Sequence, residues 1–377
     1  MRGMLLYGGI MTINAMLLTG VGSLLPHFSV ELGLALPQQG FLVSGQFVGY
    51  TAAVLSGAVL ADRFGKTLVL RLAMLGFIAT ALMYWVAGSF TALLLAFVLT
   101  GCFCGVLENI LTAIIYLDAR DAVRKNTMLQ FAFCVGAVAL PVMLYGLGTA
   151  SLSWRVGYLP IGAAMAVLFC FVLRQPALRE RESMTFSAIG RTLLSLLRSP
   201  VRLLAPLAML LYVSAEVGLW GFLPTYISRV NGNDALVSAA TALLWASMAT
   251  SRLMAAWLWK ASIRKAFVAS VALMVASICG VLVADGLWLL PAAALAGFSM
   301  GPLYAYLIDW MCKANGSSAS MIAVSMALGT LGPILTGPLT GSLGEWFGAK
   351  SVTAVPLAAC FAILWLLRMD TARKEGA

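Results

Sequence analysis

Polar residues along this chain come in short clusters, and long apolar stretches run between them. The stretches fall near 4–29, 39–61, 68–87, 91–117, 128–149 and 156–173, then near 201–228, 235–259, 266–284, 288–312, 319–341 and 351–368. Each has roughly the 20 mostly apolar residues that a helix needs to cross a ~30 Å hydrocarbon layer. The pattern therefore predicts an all-α polytopic membrane protein with about twelve transmembrane helices. The longest polar break, RQPALRERESMTFSAIGRTLLSLLRSP at 174–200, separates six stretches from six. It predicts an N-terminal six-helix bundle over 1–173, a linker over 174–200, and a C-terminal six-helix bundle with a short tail over 201–377. Within the linker, Leu and Ile recur at helical spacing with Arg191 and Arg198 between them. That spacing fits either an amphipathic helix on the membrane surface or a plain solvated linker. Two six-span halves joined by a basic loop are also the architecture of transporters whose substrate binds between the halves near the midplane.

Composition points the same way and narrows the function classes. The chain is 62% hydrophobic and 10% charged, with a mean hydropathy of +0.97, whereas a soluble domain carries about 25% charged residues. A net charge of +10 would suit a nucleic-acid binder if it lay on one face, but it does not. The basic residues gather in alternate loops: ADRFGK at 61–66, DARDAVRK at 118–125, KASIRK at 260–265, Lys313 and the tail. Only Arg155, Arg229 and Lys350 fall clearly on the other side, and Arg252 lies within a span. Under the positive-inside rule this predicts an inner-membrane protein with both termini cytoplasmic and no nucleic-acid partner. Cys102, Cys104, Cys134, Cys170, Cys279, Cys312 and Cys360 all fall in apolar runs. Without a neighbouring His they read as small hydrophobes, not as metal ligands or disulfide partners. Arg2 and the apolar run after it resemble a signal peptide, but the run is too long and lacks an A-x-A site, so it reads as an uncleaved first helix. No phosphate-binding loop or nucleophile–base pair is present, which argues against an enzyme and against any cofactor or metal.

Two carboxylates stand inside the apolar runs. Glu108 lies about ten residues, or ~15 Å, from one boundary of the fourth span, and Glu216 about fifteen residues, or ~22 Å, from the start of the seventh. An ionisable group at that depth costs roughly 2.5–3.5 kcal/mol to insert and usually faces a cavity. There it can exchange a proton as the cavity opens to each side in turn, which is the physical basis of a proton-coupling site. Two other roles stay open: a protonated carboxyl that bonds a neighbouring helix, or a partner for a cationic substrate. Tyr212 and Trp220, one turn or so from Glu216 on either side, could line a pocket or pack a core, as could Trp245, Tyr304 and Tyr306. The amides in the spans, Asn14, Gln46, Asn109 and Gln130, are candidates for contact with a polar solute. His27, at the outer end of the first span, reads as structural. Asp309 near the end of the tenth could salt-bridge the 61–66 loop or sit in a cavity mouth. GAVALP (136–141) and GTLGPILTGP (329–338) occupy the fifth and eleventh spans, where Gly lets helices approach and Pro bends them.

GAVLADRFGKTLVLR at 57–71 resembles the loop signature of the major facilitator superfamily, with Leu60, Ala61, Asp62, Arg63, Gly65 and Lys66 matching and Ala58 and Thr67 departing. The resemblance implies that Asp62, Arg63, Gly65 and Lys66 latch one side of the transporter shut. Arg252 resembles the eighth-span Gly-Arg of that superfamily, with Ser251 in place of the Gly, and is expected to pair with an acidic residue or with helix carbonyls. SLLPHFSVELGL (23–34), QQGFLVSGQFVGYTAAVLSG (38–57), GVLENILTAIIYL (105–117) and LYVSAEVGLWGFLPTYI (211–227) are similar to spans of the fucose permease-like hexose–proton symporters. In that branch an acidic residue precedes the P-H-F stretch, where this chain has Gly22, and an Asn follows the fourth-span Glu, where it has Thr112. The resemblance implies a monomeric transporter that moves protons and a small, sugar-like solute through the bilayer. Export of an amphipathic compound such as a drug or siderophore, and a non-transporting receptor, are the alternatives.

Overall fold

The computed structural model describes residues 2–117, 122–175, 185–258, 263–315 and 319–375. Parts of three basic loops named above, including Asp118, Arg120 and Lys260, lie outside the described residues. The first bundle consists of α1 (Arg2–Leu18), α2 (Gly20–Leu32), α3 (Leu36–Phe64), α4 (Lys66–Val86), α5 (Phe90–Leu117), α6 (Ala122–Thr149) and α7 (Tyr158–Leu173). A short α8 (Phe186–Leu197) follows. The second bundle consists of α9 (Pro200–Asn231), α10 (Asp234–Leu258), α11 (Ile263–Val283), α12 (Leu289–Met300), α13 (Leu303–Asn315), α14 (Ala319–Phe347) and α15 (Ala354–Glu375). Because α1 and α2 share one crossing, as do α12 and α13, the chain crosses six times before α8 and six times after it. The chain termini, the 61–66 loop and α8 fall at one end, hereafter the terminal end. The α2–α3 and α9–α10 turns fall at the far end.

Ten crossings are long and apolar enough to span a membrane by length and composition. The two that fall short are α3 and α10, with 29 and 25 residues. Both carry hydroxyls and charges, and α3 amides as well, because they are inter-bundle helices: α3 packs on α14, and α10 packs on α6. A helix whose flank meets protein can hold polar residues that lipid would not accept.

Two crossings are broken, and the carbonyls freed at each break are met from another helix. At the α1–α2 break, Gln46 Nε2 donates to Leu18 O at 2.8 Å. At the α12–α13 break, before Gly301 and Pro302, the Tyr212 hydroxyl lies 3.0 Å from Met300 O. Buried in protein, such breaks are tolerated only with this kind of compensation.

Glycine sets the closest approaches. In the GAVALP run, a Cβ on Gly136 would stand 1.9 Å from Thr12 O of α1, so this is a backbone-to-backbone contact with no side chain to yield. Gly136→Val is expected to lower stability by about 1–3 kcal/mol through overpacking, read as a drop in melting temperature in detergent. Between the bundles, Gly40 faces Gly337 O, with a hypothetical Cβ at 2.3 Å, and Gly341 faces Leu36 O at 2.2 Å. Ser44 Oγ donates to Ile334 O at 2.6 Å and the Thr51 and Thr330 hydroxyls meet at 2.8 Å. The α3–α14 seam is thus polar and tight from the far end to its middle. At the terminal end it becomes apolar: Leu55 and Val59 of α3 and Met321, Val324 and Leu328 of α14 enclose Ile189 and Leu196 of α8.

Candidate functional site

Each bundle contributes one carboxylate to a polar group lying between them. From the first, α5 presents Glu108, whose Oε2 accepts a 2.8 Å hydrogen bond from the Tyr50 hydroxyl of α3. Gln130 of α6 hydrogen-bonds the same carboxylate. From the second, α9 presents Glu216, one turn after Tyr212, whose hydroxyl lies against both Met300 O and the Glu216 carboxylate. Arg252 of α10 joins the two sets. Its Nη2 is 3.9 Å from Glu216 Oε1, with the two side chains 19% and 13% exposed. Its Nη1 lies 3.5 Å from Cys134 Sγ of α6, in the other bundle, and its charge also acts on Glu108. Neither carboxylate faces lipid. The guanidinium therefore stands between an acidic group in its own bundle and one in the opposite bundle, with a foot in each.

Aromatic rings close one flank of this group. Trp245 of α10 packs on Trp220 of α9 with ring centroids 5.6 Å apart and on Phe133 of α6 at 6.0 Å, crossing the inter-bundle boundary. Tyr304 of α13 lies near both Tyr50 and Tyr212, bringing the tenth crossing to the same place. The group has donors, acceptors, a fixed cation and aromatic faces. It can hold a small polar solute with an apolar side, and it can take up or release protons.

Eight of the residues singled out in the sequence thus converge: Glu108, Glu216, Gln130, Tyr212, Trp220, Trp245, Tyr304 and Arg252. Arg252 lies beside Glu216, away from the 61–66 loop. The other candidates lie elsewhere. Gln46 is committed to the α1–α2 break. Asn14 Nδ2 reaches Cys104 O at 3.4 Å, on the border of the group, and its Oδ1 is buried without a hydrogen-bond partner. Asn109 Nδ2 is likewise buried and unpartnered, and Thr112 is half-buried. Asp62, Arg63, Gly65 and Lys66 are at the terminal end. Gly65 has φ +92°, a conformation only glycine adopts without strain, Arg63 lies over the Phe64 ring at 5.4 Å, and Lys66 is buried with no acceptor for its Nζ among the described residues. Asp309 pairs at 2.6 Å with Lys313, one turn on in its own helix. Tyr50, Phe133 and Cys134 were missed. Only Tyr50 left a signal, since it follows Gln46 by one turn on a helix already rich in polar groups.

The far end has its own features. His27 and Glu31 of α2 and Asp234 of α10 border a cavity of about 450 Å³ between the bundles. Glu31 is engaged there by Arg155 and by Trp154 Nε1 at 2.6 Å. Between this cavity and the carboxylates the bundles touch at Gly22, where a Cβ would stand 2.7 Å from Trp220 O and 3.1 Å from Gly221 Cα. A carboxylate side chain has no room there.

Loss of Glu216 leaves a largely buried guanidinium without its ion-pair partner. For a fully buried pair that costs about 3–5 kcal/mol, and the residual exposure here puts the expected cost of Glu216→Gln below that range. Thermal unfolding checks this: the double variant Glu216→Gln/Arg252→Gln is expected to recover more than half of the loss, and simple additivity of the two single variants would contradict the pairing.

A family model described as Major Facilitator Superfamily matches residues 8–318. No curated protein sequence matches the chain. Among solved structures, the chain is similar to the nucleoside transporter NupG, with a TM-score of 0.80 at 12% identity over 96% of this chain and 99% of that one. It is similar to a variant of the E. coli fucose:proton symporter FucP, with a TM-score of 0.70 at 15% identity over 98% of both chains. FucP in its outward conformation gives 0.69 at 15% identity over 97% of this chain and 98% of that one. At these identities the structural likeness establishes the fold.

Proposed function

The chain belongs to the Major Facilitator Superfamily, and from that premise we propose that it is a proton-coupled secondary transporter carrying a small, sugar-like organic solute across the inner membrane by alternating access. The observation that carries this reading is the meeting of Glu108 and Glu216, one from each bundle, around the single Arg252 cation. When Glu108 is ionised it competes with Glu216 for the guanidinium and draws the bundles together. A proton on Glu108 cancels that attraction, and Arg252 falls back to Glu216. The solute adds its own hydrogen bonds to Tyr50, Gln130 and Tyr212 and stacks on Trp220 and Trp245. Solute and proton together thus change the energy of the inter-bundle contact, which is what coupling requires.

The structural neighbours support a solute that contains a sugar ring, since one is a fucose:proton symporter and another a nucleoside transporter. An amphipathic solute moved outward is the second reading, favoured by the continuous aromatic surface of Phe133, Trp245 and Trp220. Asp62, Arg63, Gly65 and Lys66 act as the latch on the cytoplasmic side, where both termini lie. Protein reconstituted in vesicles under an imposed proton gradient, offered labelled monosaccharides, nucleosides and amphipathic amines, tests both readings. Accumulation of one class that a protonophore abolishes is the expected result. Flux indifferent to the protonophore would remove proton coupling, and the class that moves decides between the solutes.

A further inference from the structure

We propose that α8 is a docking surface for anionic phospholipid, and that it ties the headgroup charge of the membrane at the terminal end to the junction of the two bundles. Three observations carry this. The first is what α8 holds on its inner face. Ile189 and Leu196 are buried between Leu55 and Val59 of α3 and Met321 and Val324 of α14. The helix therefore touches one crossing from each bundle at the end of the seam where apolar side chains of α3 and α14 enclose it.

The second is a free apolar edge. Phe186, Leu194 and Leu197 follow one another along the helix at one-turn and two-turn spacing, with Gly190 between, and are 60%, 48% and 58% exposed. They lie beside membrane crossings, at the level where chain leaves the bilayer. The third is charge. Arg191 and Arg198 flank this edge, Arg202 follows at the start of α9, all three are exposed, and no acidic residue occurs from Thr185 to Arg202. Thr185 caps the helix by accepting from Ala188 N at 3.2 Å, so α8 is a formed element and not a chance turn.

An apolar edge bordered by arginines is what an interfacial helix presents, with the side chains entering the acyl boundary and the guanidinium groups at headgroup level. A second copy of this chain fits poorly, because matching two such edges would bring six arginines together. Anionic headgroups supply the missing charge at roughly fivefold in affinity per basic residue near the surface. Docked α8 then holds Leu55 and Val324 on either side of it, which stabilises the state in which α3 and α14 are joined at this end.

Hydrogen exchange of the α8 amides in the full-length protein tests the proposal. The protein is placed in nanodiscs of phosphatidylcholine alone and of equal parts phosphatidylcholine and phosphatidylglycerol. Exchange over 186–197 is expected to slow by about tenfold or more in the anionic discs, three basic residues contributing, and to return toward the neutral-lipid rate in high salt. The exposed-surface variant Arg191→Gln/Arg198→Gln/Arg202→Gln is expected to lose the difference while exchange of the crossing helices stays unchanged. Equal exchange in both discs overturns the proposal, as does a triple variant that responds like the parent. Slowing by inorganic phosphate in neutral discs would overturn the assignment to lipid. None of these outcomes depends on the transported solute, so the transport reading stands or falls separately.

Discussion

Vesicles carrying Glu108→Gln will bring their solute to equal concentrations on both sides and no further. A membrane potential of about 100 mV acting on one proton is worth ~2.3 kcal/mol, enough for roughly fiftyfold accumulation. The variant removes the group whose charge answers to Arg252 across the bundle boundary, while the Gln amide can still accept from Tyr50. Binding and folding are therefore expected to survive and exchange of labelled for unlabelled solute to continue. Only the uphill component and the accompanying proton movement disappear. Accumulation by Glu108→Gln at the parent level would take Glu108 out of the coupling.

The second large effect is steric. Gly22 of α2 lies under the backbone of α9, with Trp220 O and Gly221 Cα as the atoms a Cβ would strike. Backbone cannot swing aside as a side chain can, so even Gly22→Ala must part the helices and Gly22→Leu must part them further. Overpacking of about 1–3 kcal/mol corresponds to a roughly five- to hundredfold loss of the state closed at this point. Net transport by Gly22→Leu is expected to fall to background. In the same vesicles native Cys134, fully buried beside Arg252, is expected to become reactive toward a membrane-impermeant maleimide added on the far side. Parental transport by Gly22→Leu, with Cys134 still shielded, would mean that the α2–α9 contact is not a closure.

Much of this was legible in the sequence because lipid is an undemanding solvent. An apolar run of the right length is a crossing whatever its neighbours do, and so the crossings and the break before α8 follow from pattern alone. Buried charge is legible for the same reason: Glu108 and Glu216 stand out because hydrocarbon tolerates them only with a purpose. What pattern does not carry is register between distant helices. Gln46 looked like a solute ligand until the break at Leu18 showed a carbonyl that needed it. Arg252 was expected to have an acidic partner, but hydropathy does not say which of the acids lies at its height. Phe133 and Cys134 gave no contrast of their own, being ordinary residues in an apolar helix made important by what faces them, and Tyr50 was marked only by its place one turn after Gln46. The breaks in the first and tenth crossings were also invisible, since Thr19 and Gly301 interrupt the backbone without interrupting the apolar run. α3 and α10 show the reverse, for their weaker hydropathy marks helices that meet the other bundle.

The claim at the centre is that protonation of the buried carboxylates moves the two bundles relative to each other. Spin labels at Leu68 of α4 and Val268 of α11, one on each bundle and both at exposed positions, report that distance directly by double electron–electron resonance. As pH is lowered in the absence of solute, the distance distribution is predicted to shift from one population to a second, and the shift is predicted to vanish in Glu108→Gln/Glu216→Gln. A distribution that is the same at every pH in the parent, or that shifts equally in the double variant, would contradict it.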